Sequence, residues 1–169
     1  MNYWDDKTIL IISPESWGMN FVSKHHYAIE LANRGSKVYF LNPPKVRDTF
    51  FEVNSINGHE SLFEINYPLS VRGLNKLPSF IADFFNKFLV RKILETTSQL
   101  DVVWSFDPFR LQNLDLFGAG KKIYFSADPH DIEKEAIIAR KADVILTPSR
   151  LLAEKFFGLN CNVCNIGHG

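Results

Sequence analysis

The segment Asp128-Pro129-His130-Asp131 sets carboxylates on either side of an imidazole, directly after the apolar run Ile123–Ala127. An imidazole titrates near neutrality, so His130 can serve as a base, or as a donor to a phosphate or sugar hydroxyl. The same residues have a complete structural use. Asp128 caps a following helix, Pro129 is its first residue, and Asp131 lies near the positive end of the helix dipole. Arg140 and Lys141 sit near the other end, and a helix start can do both jobs. Ser13-Pro14-Glu15-Ser16-Trp17-Gly18-Met19-Asn20 is a longer loop after an apolar run. Trp17 either packs the loop or offers a platform for a sugar ring, and Gly18 permits close approach to a ligand. Asp107-Pro108 repeats the cap-and-proline pattern without a histidine. Ser149, after Thr147-Pro148, either caps a helix or sets a hydroxyl against a ligand.

Other chemistries find little in the chain. His25 and His26 point about 100° apart on a helix and do not form a two-ligand metal site. Cys161 and Cys164 have the spacing of a redox pair or half a zinc site, but no helix start or further ligands accompany them. Two unrelated, buried or half-buried thiols are expected. Neither a glycine-rich dinucleotide fingerprint nor a P-loop is present, and no metal is implied. No serine- or cysteine-hydrolase constellation appears.

These residues need a frame that brings them together, and a recurrent dipeptide supplies its outline. Ser13-Pro14, Asn42-Pro43, Asp107-Pro108, Asp128-Pro129 and Thr147-Pro148 each end an apolar run rich in β-formers. Proline lacks an N–H and disfavours helical geometry in the residue before it, so each pair marks a strand giving way to a loop or helix. In a parallel sheet those ends share one edge, where open α/β folds bind ligands. Thr8–Ile12, a helix over Val22–Asn33 closed by Gly35, and Ser36–Leu41 make a βαβ unit. Phe51–Ile56 and Ser61–Tyr67 alternate as strands around the turn signal Asn57-Gly58, giving a hairpin-like insertion or an edge strand. Leu77–Leu94 is a long helix, and from Asp101 the βα alternation resumes three times to a last strand at Val163–Ile166. The expectation is a single α/β domain over residues 1–169. It is a Rossmann-like three-layer sandwich with a doubly wound, mostly parallel sheet of about seven strands.

Lysine plus arginine equals aspartate plus glutamate at 19 each, so no basic excess points to nucleic acid. No signal peptide or membrane-spanning stretch is read from the sequence, and a cytoplasmic location is expected. Phenylalanine is abundant, at 15 residues. On Leu77–Leu94, Phe80, Ile81, Phe84, Phe85, Phe88 and Leu89 fall at helical spacing, with Lys76, Lys87, Arg91 and Lys92 around them. That helix either packs its aromatic side on the core with a solvated basic face, or touches anionic lipid headgroups peripherally at the membrane's inner face.

Taken in order, Ile9–Gly18, His26–Asn42, Asp101–Pro108, Lys122–Asp131, Glu135–Ser149 and Val163–Gly169 resemble the N-terminal domain of a GT-B glycosyltransferase. The likeness is to the nucleotide-sugar-dependent group that builds surface polysaccharides. The resemblance implies an acceptor-side domain, facing a second domain that binds most of the nucleotide-sugar donor. The acceptor would be a glycan or a lipid-linked molecule. Trp17, Gly18 and Asn20 would border acceptor and donor phosphates, and Asp128 and His130 would lie near the reacting centre. Phe125 stands where several relatives carry a polar residue. Such enzymes need no bound metal or other cofactor for chemistry. The donor-binding half would follow Gly169, so this chain is expected to be an N-terminal portion with negligible transfer alone. The competing expectation is a non-catalytic α/β module that binds a glycan or partner protein.

Overall fold

The computed structural model describes residues 3–18, 20–45, 50–69, 73–74 and 77–167. The elements run β1 (Thr8–Ile12), α1 (Ser23–Asn33), β2 (Lys37–Leu41), β3 (Glu52–Ser55), β4 (Leu62–Asn66), α2 (Ser79–Thr97) and β5 (Val102–Ser105). A short 3-10 helix (Leu114–Phe117), β6 (Lys121–Phe125), α3 (Ile132–Lys141), β7 (Val144–Thr147), α4 (Arg150–Glu154) and β8 (Val163–Asn165) follow. The eight strands form one sheet in the order β3-β4-β2-β1-β5-β6-β7-β8. Every pairing is parallel except β3 with β4. Asn57-Gly58 makes the turn between β3 and β4, with Gly58 at φ +85°. The insertion is therefore both a hairpin and a sheet edge.

Alternation along the strands divides the core into two halves. Ile9, Ile11, Val38, Phe40 and Trp104 pack with Ala28 and Leu31 of α1. Leu10, Ile12, Tyr39 and Val103 point the other way, toward Val90 and Ile93 of α2, the 3-10 helix and α3. Successive strand residues face opposite sides, so strands buried on both faces read as unbroken apolar runs. The arrangement is the expected three-layer α/β sandwich, with eight strands where the sequence suggests about seven.

The strand ends share a local device. Ser13 Oγ donates to the Glu15 carbonyl, Ser105 Oγ to that of Asp107, and Thr147 Oγ1 to that of Ser149. Each hydroxyl closes a turn two residues ahead and satisfies a carbonyl that the ladder no longer reaches.

Four local expectations are corrected. Asp128 does not cap a helix: α3 begins at Ile132, with Asp131 in the cap position. The His130 carbonyl accepts from Lys155 Nζ and the Lys134 N–H goes to the Asp131 carbonyl, so helical bonding cannot reach back to Pro129. Asp107-Pro108 likewise starts no α-helix. Its carboxylate instead accepts from the backbone N–H groups of Phe109 (2.8 Å) and Arg110 (3.2 Å). Cys161 and Cys164 are both exposed, on a short edge strand and the turn before it. The aromatic side of α2 is not core-packed. Val90 and Ile93 hold the core, and Phe88 lies about 200° around the helix from Val90. Phe80, Phe84 and Phe88 are accordingly 73%, 59% and 61% exposed. Lys76 lies outside the described residues.

Candidate functional site at the carboxyl edge of the sheet

From β1 the chain winds one way to β2, β4 and β3, and then the other way from β5 to β8. The reversal opens a crevice beyond the carboxyl ends of β1 and β5, the usual ligand position in an open α/β sheet. Arg110 lies across it. Its Nε donates to Asp107 Oδ2, and Nη1 donates to the Asn42 carbonyl (3.3 Å) and the Tyr67 hydroxyl. Nη2 donates to the Ser13 carbonyl. One guanidinium thus ties together the ends of β1, β2, β4 and β5. Burial raises the Tyr67 pKa, an effect the neighbouring Arg110 charge opposes.

Asn42 is buried beside this junction. Its Oδ1 accepts the Trp17 N–H (2.8 Å), and its Nδ2 donates to Asn66 (2.9 Å) and Glu64 (3.0 Å). The β1–α1 loop is thereby fixed to the end of β2. Trp17 is half-buried against Phe40, His25 and Phe21, so its indole packs the loop. Gly18 follows at φ +82°, a conformation that glycine adopts without strain. His25 is fully buried, and Nδ1 accepts the Val22 N–H (3.2 Å). Desolvation holds its pKa below 6.5. Asn20 is exposed, as is Gly18. Met19 between them lies outside the described residues.

Around His130 the frame is a buried ionic cluster. Glu135, in the first turn of α3, is fully buried. It accepts from the Tyr124 hydroxyl and Ser126 Oγ (2.9 Å) and pairs with Lys155. Lys155 also donates to the His130 carbonyl (3.1 Å), which anchors residues 126–131 against the helix. Burial, then the bond to Glu135, drives the Tyr124 pKa far upward, so its hydroxyl remains a donor. The His130 ring stands edge-on to Phe109, with centroids 5.1 Å apart. Asp128 is exposed and makes no side-chain hydrogen bond among the described residues. Asp131 pairs with Lys134 (2.9 Å), which lowers its pKa.

Phe109 and Arg110 also line a cleft of about 740 Å³ between the start of α2, the residues Leu69, Gly73, Leu74 and Leu77, and α3. None of Trp17, Gly18, Asn20, Asp107, Asp128, His130 and Ser149 lines it. Phe109 joins it to His130, and Arg110 joins it to Asp107. Ser149 caps α4, its Oγ accepting the Leu152 N–H at 3.3 Å. No hydrogen bond or ring contact connects Ser149 or Asn20 with the Asp107–His130 region among the described residues. No group of three or more His, Cys, Asp or Glu could hold a metal among the described residues.

Arg110, Tyr67 and Glu135 are polar residues that sequence reasoning passes over, and Asn42 it reads only as the end of a strand. The spacing Asp107-x-x-Arg110 carried a usable signal for one of them. The others depend on tertiary neighbours. No family model and no curated protein matches the chain.

Proposed function

We propose that this chain is the acceptor-side domain of a GT-B glycosyltransferase. The observation that carries the reading is the cleft at the carboxyl edge where the winding of the sheet reverses, whose lining residue Phe109 meets the ring of His130. An acceptor there presents its hydroxyl toward His130. In an inverting reaction His130 takes the hydroxyl proton as oxygen bonds to the anomeric carbon and the nucleoside diphosphate departs. A retaining reaction relies instead on stabilising the leaving phosphate. Asp128, exposed two residues before His130, is the second residue assigned to the reacting centre. The Glu135–Lys155 pair keeps the His130 backbone in place without entering the chemistry. Trp17, Gly18 and Asn20 border the ligand from the β1–α1 loop, and Asp107 acts through Arg110.

The nucleotide sugar binds mainly to a second domain of such an enzyme. The chain works in the cytoplasm, peripherally at the inner face of the membrane through α2. No helix among the described residues is long and apolar enough to cross a membrane. Contact through α2 is supported by its outward Phe ridge and by Lys87 and Lys92, which have no ion-pair partner among the described residues. The acceptor is a glycan or a lipid-linked molecule.

The test is sugar transfer from a panel of radiolabelled UDP- and GDP-sugars to a membrane extract, by the polypeptide as encoded in full. A labelled glycan or lipid product supports the reading. Glycan binding without turnover of any donor favours a non-catalytic binding module. Robust transfer by residues 1–169 alone overturns the division of labour between two domains.

A further inference from the structure

We propose that the β1–α1 loop is latched by the neutral form of His25 and released in acid, when the protonated ring lets go of Phe21 and Val22. The latch is a helix cap built on a titratable side chain. Val22 holds the N-cap position of α1 without a side-chain cap bond, and the first turn carries no acidic residue. His25, three residues on, stands where a capping box sets a glutamate or glutamine to accept the N-cap N–H. Here the acceptor is Nδ1, which takes the Val22 N–H at 3.2 Å. The neutral ring therefore carries its proton on Nε2.

Protonation turns that acceptor into a donor. Two N–H groups then face each other, and the cap bond is lost. The imidazolium is also fully buried, at the positive end of the α1 dipole, with the Lys24 charge beside it. Its surroundings do not compensate. On α1, Lys24 is itself buried and paired with Glu15 of the β1–α1 loop, and His26 is exposed. From the sheet, β2 presents the Phe40 ring, and Glu64 of β4 is engaged by Asn42 Nδ2. The rings of Phe40 (4.9 Å), Trp17 (5.2 Å) and Phe21 (5.2 Å) attract a cation weakly and offer it no strong acceptor. Desolvation outweighs the Ser16 and Val22 backbone groups and the Glu15 charge, which favour the cation. The latch is at full strength above pH 6.5 and is lost as pH falls through the pKa of the latched ring.

Release occurs on the loop side of the ring. Phe40 is fully buried in an interior strand, whereas Phe21 and Val22 are 51% and 40% exposed. Lifting those two from the imidazole gives up little apolar burial and admits water to the charge. Upstream the loop stays pinned, by the Ser13 hydroxyl on the Glu15 carbonyl and by the Trp17 N–H on Asn42 Oδ1. Gly18, at φ +82° with open space where a Cβ would stand, separates that pinned part from Phe21. Asn20 lies on the released side, so an effect of acid on sugar transfer rests on the acceptor-side reading above. The latch itself does not.

The experiment is amide hydrogen exchange, resolved to single residues, on the polypeptide as encoded in full. It runs from pH 7.5 to 5.0 with rates corrected for the intrinsic effect of pH. Protection of the Val22 amide is expected to fall by about tenfold or more, while the Phe40 amide keeps its own. His25→Gln, which accepts the Val22 N–H without titrating, holds Val22 protected at every pH, and His26→Gln leaves the fall in place. Two charge changes move the midpoint in opposite directions. Glu15→Gln removes an attraction for the imidazolium and lowers it; Lys24→Met removes a repulsion and raises it. These two shifts decide the matter if His25→Gln does not fold. Val22 protection that is constant, or that is lost only together with that of Phe40, overturns the proposal. So does a fall that persists in His25→Gln or vanishes in His26→Gln, or a midpoint that neither charge change moves. A loop indifferent to pH in a protein that transfers sugar removes this proposal alone. A loop released in acid in a protein that transfers none supports it while removing the glycosyltransferase reading.

Discussion

At the scale of single residues, Arg110 is the side chain on which the candidate site depends most. Asp107 is nearly buried, and Arg110 is its ion-pair partner at 2.5 Å. Replacing Arg110 with Met leaves that carboxylate uncompensated, a class of change that costs about 3–5 kcal/mol. Urea unfolding checks this, and a loss below about 1 kcal/mol would show the junction to be ornamental. His25 gives a pH signature. Its pKa is lowered by burial, so between that value and 6.5 the unfolded chain binds the proton and the folded chain does not. Stability from this group is complete above pH 6.5 and is lost as pH falls through the folded pKa. His25→Phe keeps ring packing against Phe40 and removes the titration. The urea midpoint of the variant should fall less than that of the parent between pH 7.5 and 5.5; equal slopes would contradict the assignment. The sequence made the strand-end residues legible, because proline and small polar side chains announce themselves locally. Tyr67 and Glu135 were not legible, and of Arg110 only the pairing with Asp107 three residues away could be read, because its other partners lie up to 97 positions away.

At the scale of elements, the proline-marked strand ends and the Asn57-Gly58 hairpin follow from local sterics, and the structure has them where the residues say. Helix starts were harder. Asp128-Pro129 and Asp107-Pro108 carry the same signal as a true cap, yet the His130 carbonyl is taken by Lys155, and Asp107 closes only a local turn through the Phe109 and Arg110 N–H groups. Helix α2 shows a different limit. Its periodicity reveals an apolar stripe but does not say whether the stripe faces protein. Ile93 is fully buried and Phe88 largely exposed. Ile93→Ala should therefore cost about 2–5 kcal/mol, whereas Phe88→Ser should stay within about 0.5 kcal/mol. If the ridge meets lipid, Phe84→Ser with Phe88→Ser should abolish co-sedimentation with vesicles containing anionic phospholipid, at unchanged thermal stability. Co-sedimentation that survives both changes, or none in the parent, would remove the membrane contact.

At the scale of the whole molecule, alternating apolar runs and helices specify the layered α/β architecture, because a strand buried on both faces has few other readings. The eighth strand adds a short edge without altering that plan. The cleft had no local signature. It is built by α2, Leu69, Gly73, Leu74 and Leu77, the β5 loop and α3, and only their packing creates it. On the proposed reading, the carboxyl edge of this sheet holds an acceptor beside His130. Initial rates of sugar transfer by the polypeptide as encoded in full, for the parent, His130→Ala and Asp128→Asn, test it most directly. Loss of at least a hundredfold in kcat for His130→Ala, with a smaller loss for Asp128→Asn and folding intact, is the predicted result; parental rates in both variants would contradict it.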